Sequence, residues 1–333
     1  MSVSFLKVIL KRNIALCASL LMMAWWFFCY RSLLFVADTY SNNNGDDLLC
    51  ARPPGGTGKT PLSTSFAVLI PAISMNERRA RRLHKILCGL EWPKLSSVSA
   101  HFMVDKLSLN LVEGILVGPL ASCGFGNVTV NLDEESDKNS QQLQGGHANV
   151  RHEYKSQLRR RIALAKARNR LLKLSRKNEV THYLWLDSDL KHVPPDTVMM
   201  LLEGKGDVVV PRCANANGKG AYDLNSWKET DKSRDILSKM DANTAVFEGY
   251  SATPDLGRSH MDDLANESAG KSYAVELDGV GGTMILVKKE AALCIDFPEE
   301  IYQHAVETEG FGLKARNKGF RVVGMPNVLI THA

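Results

Sequence analysis

Asp187-Ser188-Asp189 sets two carboxylates one residue apart, directly behind the apolar run Leu184-Trp185-Leu186. A buried strand that ends in paired acids offers hard oxygen ligands at one point, and in open α/β sheets ligands gather outside the carboxyl ends of the strands. Such a pair suits Mn²⁺ or Mg²⁺, and the ion neutralises a nucleotide diphosphate that carboxylates alone would repel. Acid pairs at strand ends also serve as plain turn or cap residues, so the tripeptide alone leaves both uses open. The strand before it and the helix starter Pro194-Pro195-Asp196 after it favour a site.

Other clusters carry weaker signals. Glu276-Leu277-Asp278-Gly279-Val280-Gly281-Gly282-Thr283 joins acids to three glycines, which permit close backbone approach to a ligand and leave Asp278 able to bond sugar hydroxyls. A glycine-rich hairpin turn explains the same pattern. Glu307-Thr308-Glu309-Gly310-Phe311 puts two acids where a helix should begin. The helix dipole accounts for one acid, and the second leaves room for a sugar-binding or catalytic role. His332 follows the last apolar run, where an imidazole is either incidental or a further metal ligand. Arg168 and Asn169, on a basic helix, lie within reach of a nucleotide or its phosphates, whereas Arg159 to Arg161 read as a solvated cationic face.

Strand patterns at 66–72, 98–104 and 128–132 alternate with a helical pattern at 76–90, the opening of an α/β sheet. A basic helix over 153–177 carries Leu158, Ile162, Ala165 and Leu172 as its apolar face. Strands follow at 182–187, 207–211 and 283–287, helices at 195–203 and 308–318, and closing strands at 321–323 and 328–331. The polar stretch 133–149 reads as a loop.

Ahead of this domain, 14–30 is a charge-free run that 33–37 extends, with Lys7, Lys11 and Arg12 before it. Charge asymmetry then predicts a type II signal anchor: cytosolic tail 1–13, transmembrane helix 14–36, flexible stem 37–65 and lumenal domain 66–333. A cleaved signal peptide fits less well, because the run is long and bulky with no small-residue cleavage site. So short a span suits the thin membrane of the ER or early Golgi. In the stem, Gly58-Lys59-Thr60 imitates a phosphate-binding loop, but Pro53 stands where its first glycine belongs.

A formal net charge of +5, confined largely to two basic stretches, does not point to nucleic acid. Among the seven cysteines, Cys50, Cys88, Cys123, Cys213 and Cys294 have no C-x-x-C spacing. The pattern argues against a zinc site and for one or two disulfides. Asn127-Val128-Thr129 and Asn266-Glu267-Ser268 are glycosylation sequons usable in a lumen.

Taken in order, Ala167-Arg168-Asn169, Trp185-Leu186-Asp187-Ser188-Asp189, Asp207-Val208-Val209-Val210-Pro211, Tyr222-Asp223-Leu224-Asn225-Ser226-Trp227, Glu248-Gly249-Tyr250, Leu277-Asp278-Gly279-Val280-Gly281-Gly282-Thr283 and Glu307-Thr308-Glu309-Gly310-Phe311 resemble the fungal mannan-polymerase mannosyltransferases, glycosyltransferase family 62. The resemblance runs from about residue 66 to the end. It implies an α/β fold of GT-A type, a Rossmann-like mixed sheet flanked by helices. It further implies a GDP-mannose donor, Mn²⁺ (or Mg²⁺), retaining α-mannosyl transfer to a glycan or glycoprotein in the Golgi, and a complex with other family members. Carried onto this chain, it makes Asp187 and Asp189 the metal motif with His332 as a further ligand. Asp278, Glu307 and Glu309 become catalytic candidates, and Pro71, Asn76, Arg168, Asn169, Asp187, Asp223 and Gly281 the donor-binding set. The stretch 111–149 matches no motif of the family. A transferase using another nucleotide sugar and a non-catalytic structural subunit remain the rival expectations.

Overall fold

The computed structural model describes residues 64–134, 154–176, 179–249, 254–267 and 274–333. The expected anchor, the stem with its glycine-rich tract, Cys50, Tyr250, Ser268 of the second sequon and most of the 133–149 loop lie outside the described residues. Among the described residues no helix is long and apolar enough to cross a membrane.

Strand β1 (Ser65–Ala72) has seven consecutive buried residues and shares them between two cores. Phe66, Val68, Ile70 and Ala72 enter one hydrophobic cluster, while Ala67 and Leu69 enter another on the opposite face. That division is what period-two alternation gives when both faces of a strand are covered. β2 (Ser97–Val104), β3 (Asn127–Leu132) and β4 (His182–Leu186) run parallel to it. The remaining strands are β5 (Leu190–His192), β6 (Val208–Ala214), β7 (Trp227–Lys228), β8 (Ser259–His260), β9 (Val275–Glu276), β10 (Met284–Lys288) and β11 (Val322–His332).

Nine strands form one mixed sheet in the order β3-β2-β1-β4-β10-β6-β11-β5, with β9 on β11, and β7 pairs β8 separately. β10 is antiparallel to both β4 and β6, and β11 is parallel to β6. The order reverses between β1 and β4: the chain leaves β1 toward β2, and leaves β4 in the other direction. Such a switch point opens a crevice at the carboxyl ends of both strands.

Helix α1 (Glu77–Gly89) lies against one face of the sheet, burying Leu83, Ile86 and Leu87. The same layer holds α2 (Leu109–Val112), a π-helical turn (Glu113–Val117), α3 (Gly118–Ser122) and, further along the chain, α5 (Thr197–Glu203). Within 111–134, the described part of the segment that matched no motif, residues 111–122 are therefore helical and pack into this core. The opposite face carries α4 (Tyr154–Ser175), α7 (Met261–Glu267), α8 (Lys289–Cys294) and α9 (Glu307–Asn317), while α6 (Asp231–Ser238) follows β7 in the chain.

Two expectations need correction. The two closing strands are one, β11, whose register against β6 shifts between Met325 and Leu329. Pro326 and Asn327 sit at that shift, and proline cannot donate a ladder hydrogen bond. On α4 the buried face is Gln157, Arg161, Ala165, Ala167, Arg168, Leu171, Leu172 and Ser175, while Leu158 and Ile162 are only partly buried. Arg161 is thus not on a solvated face, because Glu309 draws it inward. Arg159 and Arg160 are exposed.

A disulfide joins Cys88 on α1 to Cys123 just after α3, Cys294 is also disulfide-bonded, and Cys213 is a buried free thiol.

Candidate active site

β4 ends at Leu186, so Asp187 is the first residue to leave the sheet, its amide donating to Thr283 O at 3.0 Å. Trp185, two residues earlier, belongs to the face covered by α4, and Asp187 meets that same layer through Arg168. Asp189 lies beyond the turn. The next three residues are β5, which pairs antiparallel with the end of β11, and this pairing brings His332 to the acid pair. His332 Nε2 lies 2.9 Å from Asp189 Oδ1, and Ala333 N donates to Asp189 O at 3.1 Å. Tyr222 stacks on the imidazole at 3.7 Å between centroids and 9° between planes.

The two carboxylates differ electrically although 30% and 29% of their side chains meet solvent. Burial pushes Asp187 up to about 7 against the pull of Arg168, and the charges of Asp189 and Glu307 add to the rise. For Asp189 burial acts the same way, but the His332 hydrogen bond and charge hold it below the ordinary carboxylate range. His332 is raised in turn, because its bond to Asp189 outweighs the burial that would lower it.

Arg168 is 2% exposed and binds several groups at once. Its Nη2 donates to Asp187 Oδ1 at 3.1 Å and to Gly282 O at 3.2 Å, and its Nε donates to Glu307 Oε1 at 3.2 Å. The guanidinium lies near the rings of Trp185 and Phe297 at 5.3 and 5.6 Å. Glu307 takes a left-handed backbone, φ 53°, a conformation that costs a non-glycine residue roughly 1–3 kcal/mol. Helix-dipole capping does not explain either acid here. Glu307 and Glu309 are 6% and 1% exposed and are consumed by buried ion pairs. Glu309 binds Arg161 Nη1 at 2.5 Å through Oε2 and accepts from Trp227 Nε1 at 2.8 Å through Oε1.

Asp223 and Gly281 come together from distant loops. A Cβ on Gly281 would lie 1.8 Å from Asp223 Oδ2, so only glycine admits the carboxylate. Asp223 also accepts from Asn225 N at 3.0 Å, and burial raises its affinity for a proton.

Three expected site residues have structural tasks. Asp278 accepts from Glu229 N at 2.7 Å and pairs with Arg316, so both its oxygens are engaged away from the acid pair. The Asn169 amide donates to Phe297 O at 2.8 Å and accepts from Phe297 N at 2.8 Å, clamping that peptide rather than facing a nucleotide. Asn76 is the N-cap of α1, accepting from Arg79 N at 3.0 Å. Pro71 is buried near the carboxyl end of β1, on the side of the switch point. β4 pairs with β1 only as far as Leu69, so the missing N–H of Pro71 falls where β1 has outrun that neighbour.

Trp227, Arg258, Glu229, Glu248 and His260 form a second buried ionic network that sequence patterning does not reveal. Arg258 lies 3.5 Å over the Trp227 ring and donates to Glu229, while His260 meets Glu248 at 2.5 Å. Their positions span residues 227–260, and no local spacing signals that they meet.

Asp187, Asp189 and His332 supply two hard oxygens and a borderline nitrogen, a donor set that suits Mn²⁺ or Mg²⁺. The negative charges of Asp189 and Glu307, which add to the rise that burial gives Asp187, also fit a cation that would offset their repulsion. The three ligand atoms are not gathered within 4.8 Å of one another. Among the described residues only His84, Cys88 and Cys123 are, and there the two sulfurs are bonded to each other.

The Anp1 family model matches residues 105–292, more than half of the chain. The mannan polymerase complex subunit mnn9 of Schizosaccharomyces pombe is 34% identical over 229 residues, covering 67% of this chain and 65% of that protein. The mannan polymerase II complex ANP1 subunit of Saccharomyces cerevisiae is 30% identical over 251 residues, covering 71% and 48%. This chain thus spans roughly half to two thirds of those relatives. Among solved structures, S. aureus TarS overlays at a TM-score of 0.40 and 17% identity, covering 81% of this chain and 60% of that one. An overlay so loose does not bear on the fold, which is described by its own strand order.

Proposed function

The chain belongs to the Anp1 family, and from that membership we propose that it is a metal-dependent retaining glycosyltransferase of GT-A type, moving mannose from GDP-mannose to a glycan acceptor in α linkage. The observation that carries the reading is the acid pair at the β1–β4 switch point, with Asp189 against His332 and Asp187 against buried Arg168. Its relatives' names, subunits of mannan polymerase complexes, support mannose as the sugar and other family members as partners.

In this reading Asp187, Asp189 and His332 hold Mn²⁺ or Mg²⁺. When bound, the ion supplies compact positive charge against the donor's diphosphate. Tyr222 fixes the plane of His332 by stacking, and Arg168 holds Asp187 in place from behind. Pro71 and the Asp223–Gly281 contact line the donor side of the crevice. The acceptor hydroxyl attacks the anomeric carbon from the leaving-group face and passes its proton to the departing phosphate oxygen, so no dedicated general base is required. Residues 14–36 anchor the chain as a single-pass type II protein, with 66–333 in the lumen of the Golgi or ER.

The test is transfer by the full chain, given GDP-mannose, Mn²⁺ and a mannose-bearing acceptor. Turnover that Asp189→Ala lowers by roughly a hundredfold or more is expected. Full metal-dependent turnover in that variant would sink the proposal, and turnover only with another sugar nucleotide would correct the donor. A second reading, a non-catalytic subunit, is favoured by the relatives' names as complex subunits. It predicts association with a family member and no turnover with any donor.

A further inference from the structure

The first two turns of α1 carry Arg78, Arg79, Arg81 and Arg82, and only Arg81 has a carboxylate partner, Glu77 on its own helix at 2.7 Å. Arg78, Arg79 and Arg82 have none among the described residues. Their spacing puts Arg82 one turn beyond Arg78 and Arg79, on one side of the helix. α1 packs beside β5, and Arg82 Nη2 lies 3.5 Å from Asp189 O. Arg82 Nε is buried with no hydrogen-bond partner, a donor that normally costs stability unless something accepts from it.

Charge counting at the site asks for these groups. Two aspartates and a divalent cation cancel, which leaves the doubly negative diphosphate of a sugar nucleotide uncompensated. Arg168 cannot supply the difference, since Asp187 and Glu307 already take its charge. Arg168 also belongs to the α4 layer, while the α1 arginines approach Asp189 from the opposite layer. An anion seated at the acid pair would have guanidinium groups on its α1 side, with an unused N–H among them.

We propose that Arg79 and Arg82 form a phosphate-binding clamp on the α1 side of the acid pair, contacting the diphosphate of the sugar nucleotide. The clamp rests on the donor reading given above. Its guanidinium forks suit phosphate oxygens better than lysine would.

The experiment is calorimetry on the full chain with GDP plus Mn²⁺, and separately with inorganic pyrophosphate, at several salt concentrations. The variants are Arg79→Gln/Arg82→Gln, Arg79→Lys/Arg82→Lys and Asp189→Asn. The glutamine pair is expected to weaken both ligands about tenfold or more and to flatten the salt dependence, with thermal stability unchanged. The lysine pair is expected to recover the salt dependence and only part of the affinity. Wild-type affinity and salt dependence in the glutamine pair would overturn the clamp, while Asp189→Asn still losing Mn²⁺-dependent GDP binding would leave the donor reading standing. Pyrophosphate binding that needs the arginines, in a chain that binds no nucleotide with Mn²⁺, would remove the donor reading and with it the clamp as a sugar-nucleotide contact. Binding of neither ligand by the wild-type chain would remove both.

Discussion

At Arg168 one buried guanidinium serves Asp187, Glu307 and the Gly282 carbonyl, while its Nη1 has no hydrogen-bond partner among the described residues. Removing such a group leaves two acids in a low-dielectric site without their counter-charge. Arg168→Ala is therefore expected to cost about 3–5 kcal/mol in chemical denaturation, and a loss below about 1 kcal/mol would show that the pairs contribute little. Gly281 makes a sharper test, because the obstacle is the carboxylate of one residue, Asp223. Gly281→Ala is expected to destabilise by about 1–3 kcal/mol, and adding Asp223→Ala should recover most of it. Additive losses in the double variant would contradict the contact.

Among the elements, β4 begins at His182, whose ring stacks on Phe66 of β1 at 5.4 Å. Burial, with Lys288 nearby, lowers its proton affinity to about 4. The unfolded chain takes up that proton near its ordinary value of 6.5. Stability from this residue is thus present above about 6.5 and is lost as pH falls toward 4. His182→Gln is expected to flatten the acid limb of the melting profile over that range, and an unchanged limb would rule the residue out as its source. In the α1 layer, the Cys88–Cys123 bridge closes a loop with a sequence separation of 35. Cys88→Ser is expected to lower stability by about 2–4 kcal/mol, read by thermal melting without reductant, and a loss near zero would mean that the layer is held by its apolar packing alone.

For the molecule as a whole, the proposed function predicts that catalysis and assembly separate. The side chains of the acid pair are partly exposed rather than enclosed in the packed core, so on the proposed function Asp189→Ala is expected to abolish turnover while the chain keeps its melting temperature and still co-purifies with another family member from cells. Loss of that association with the same substitution would mean that Asp189 serves architecture.

What the sequence determined by itself was the alternation of strands and helices, the acid pair at a strand end and the motif order of the family. These signals are local: period-two and period-3.6 patterns and short contiguous motifs record which way a side chain must face, whatever the remainder of the chain does. Its own bridging left β11 to be read as two strands, since a register shift at Pro326 looks like an ending when the neighbour is unknown. Only the tertiary structure could decide partners. Arg161 reads as solvated until Glu309, 148 residues away, is placed against it. Asn169 and Asp278 read as ligands for a sugar nucleotide until Phe297, Glu229 and Arg316 claim their polar atoms. A charged or amide side chain has the same chemistry in both roles, and which role it plays depends on what the fold brings within hydrogen-bond distance.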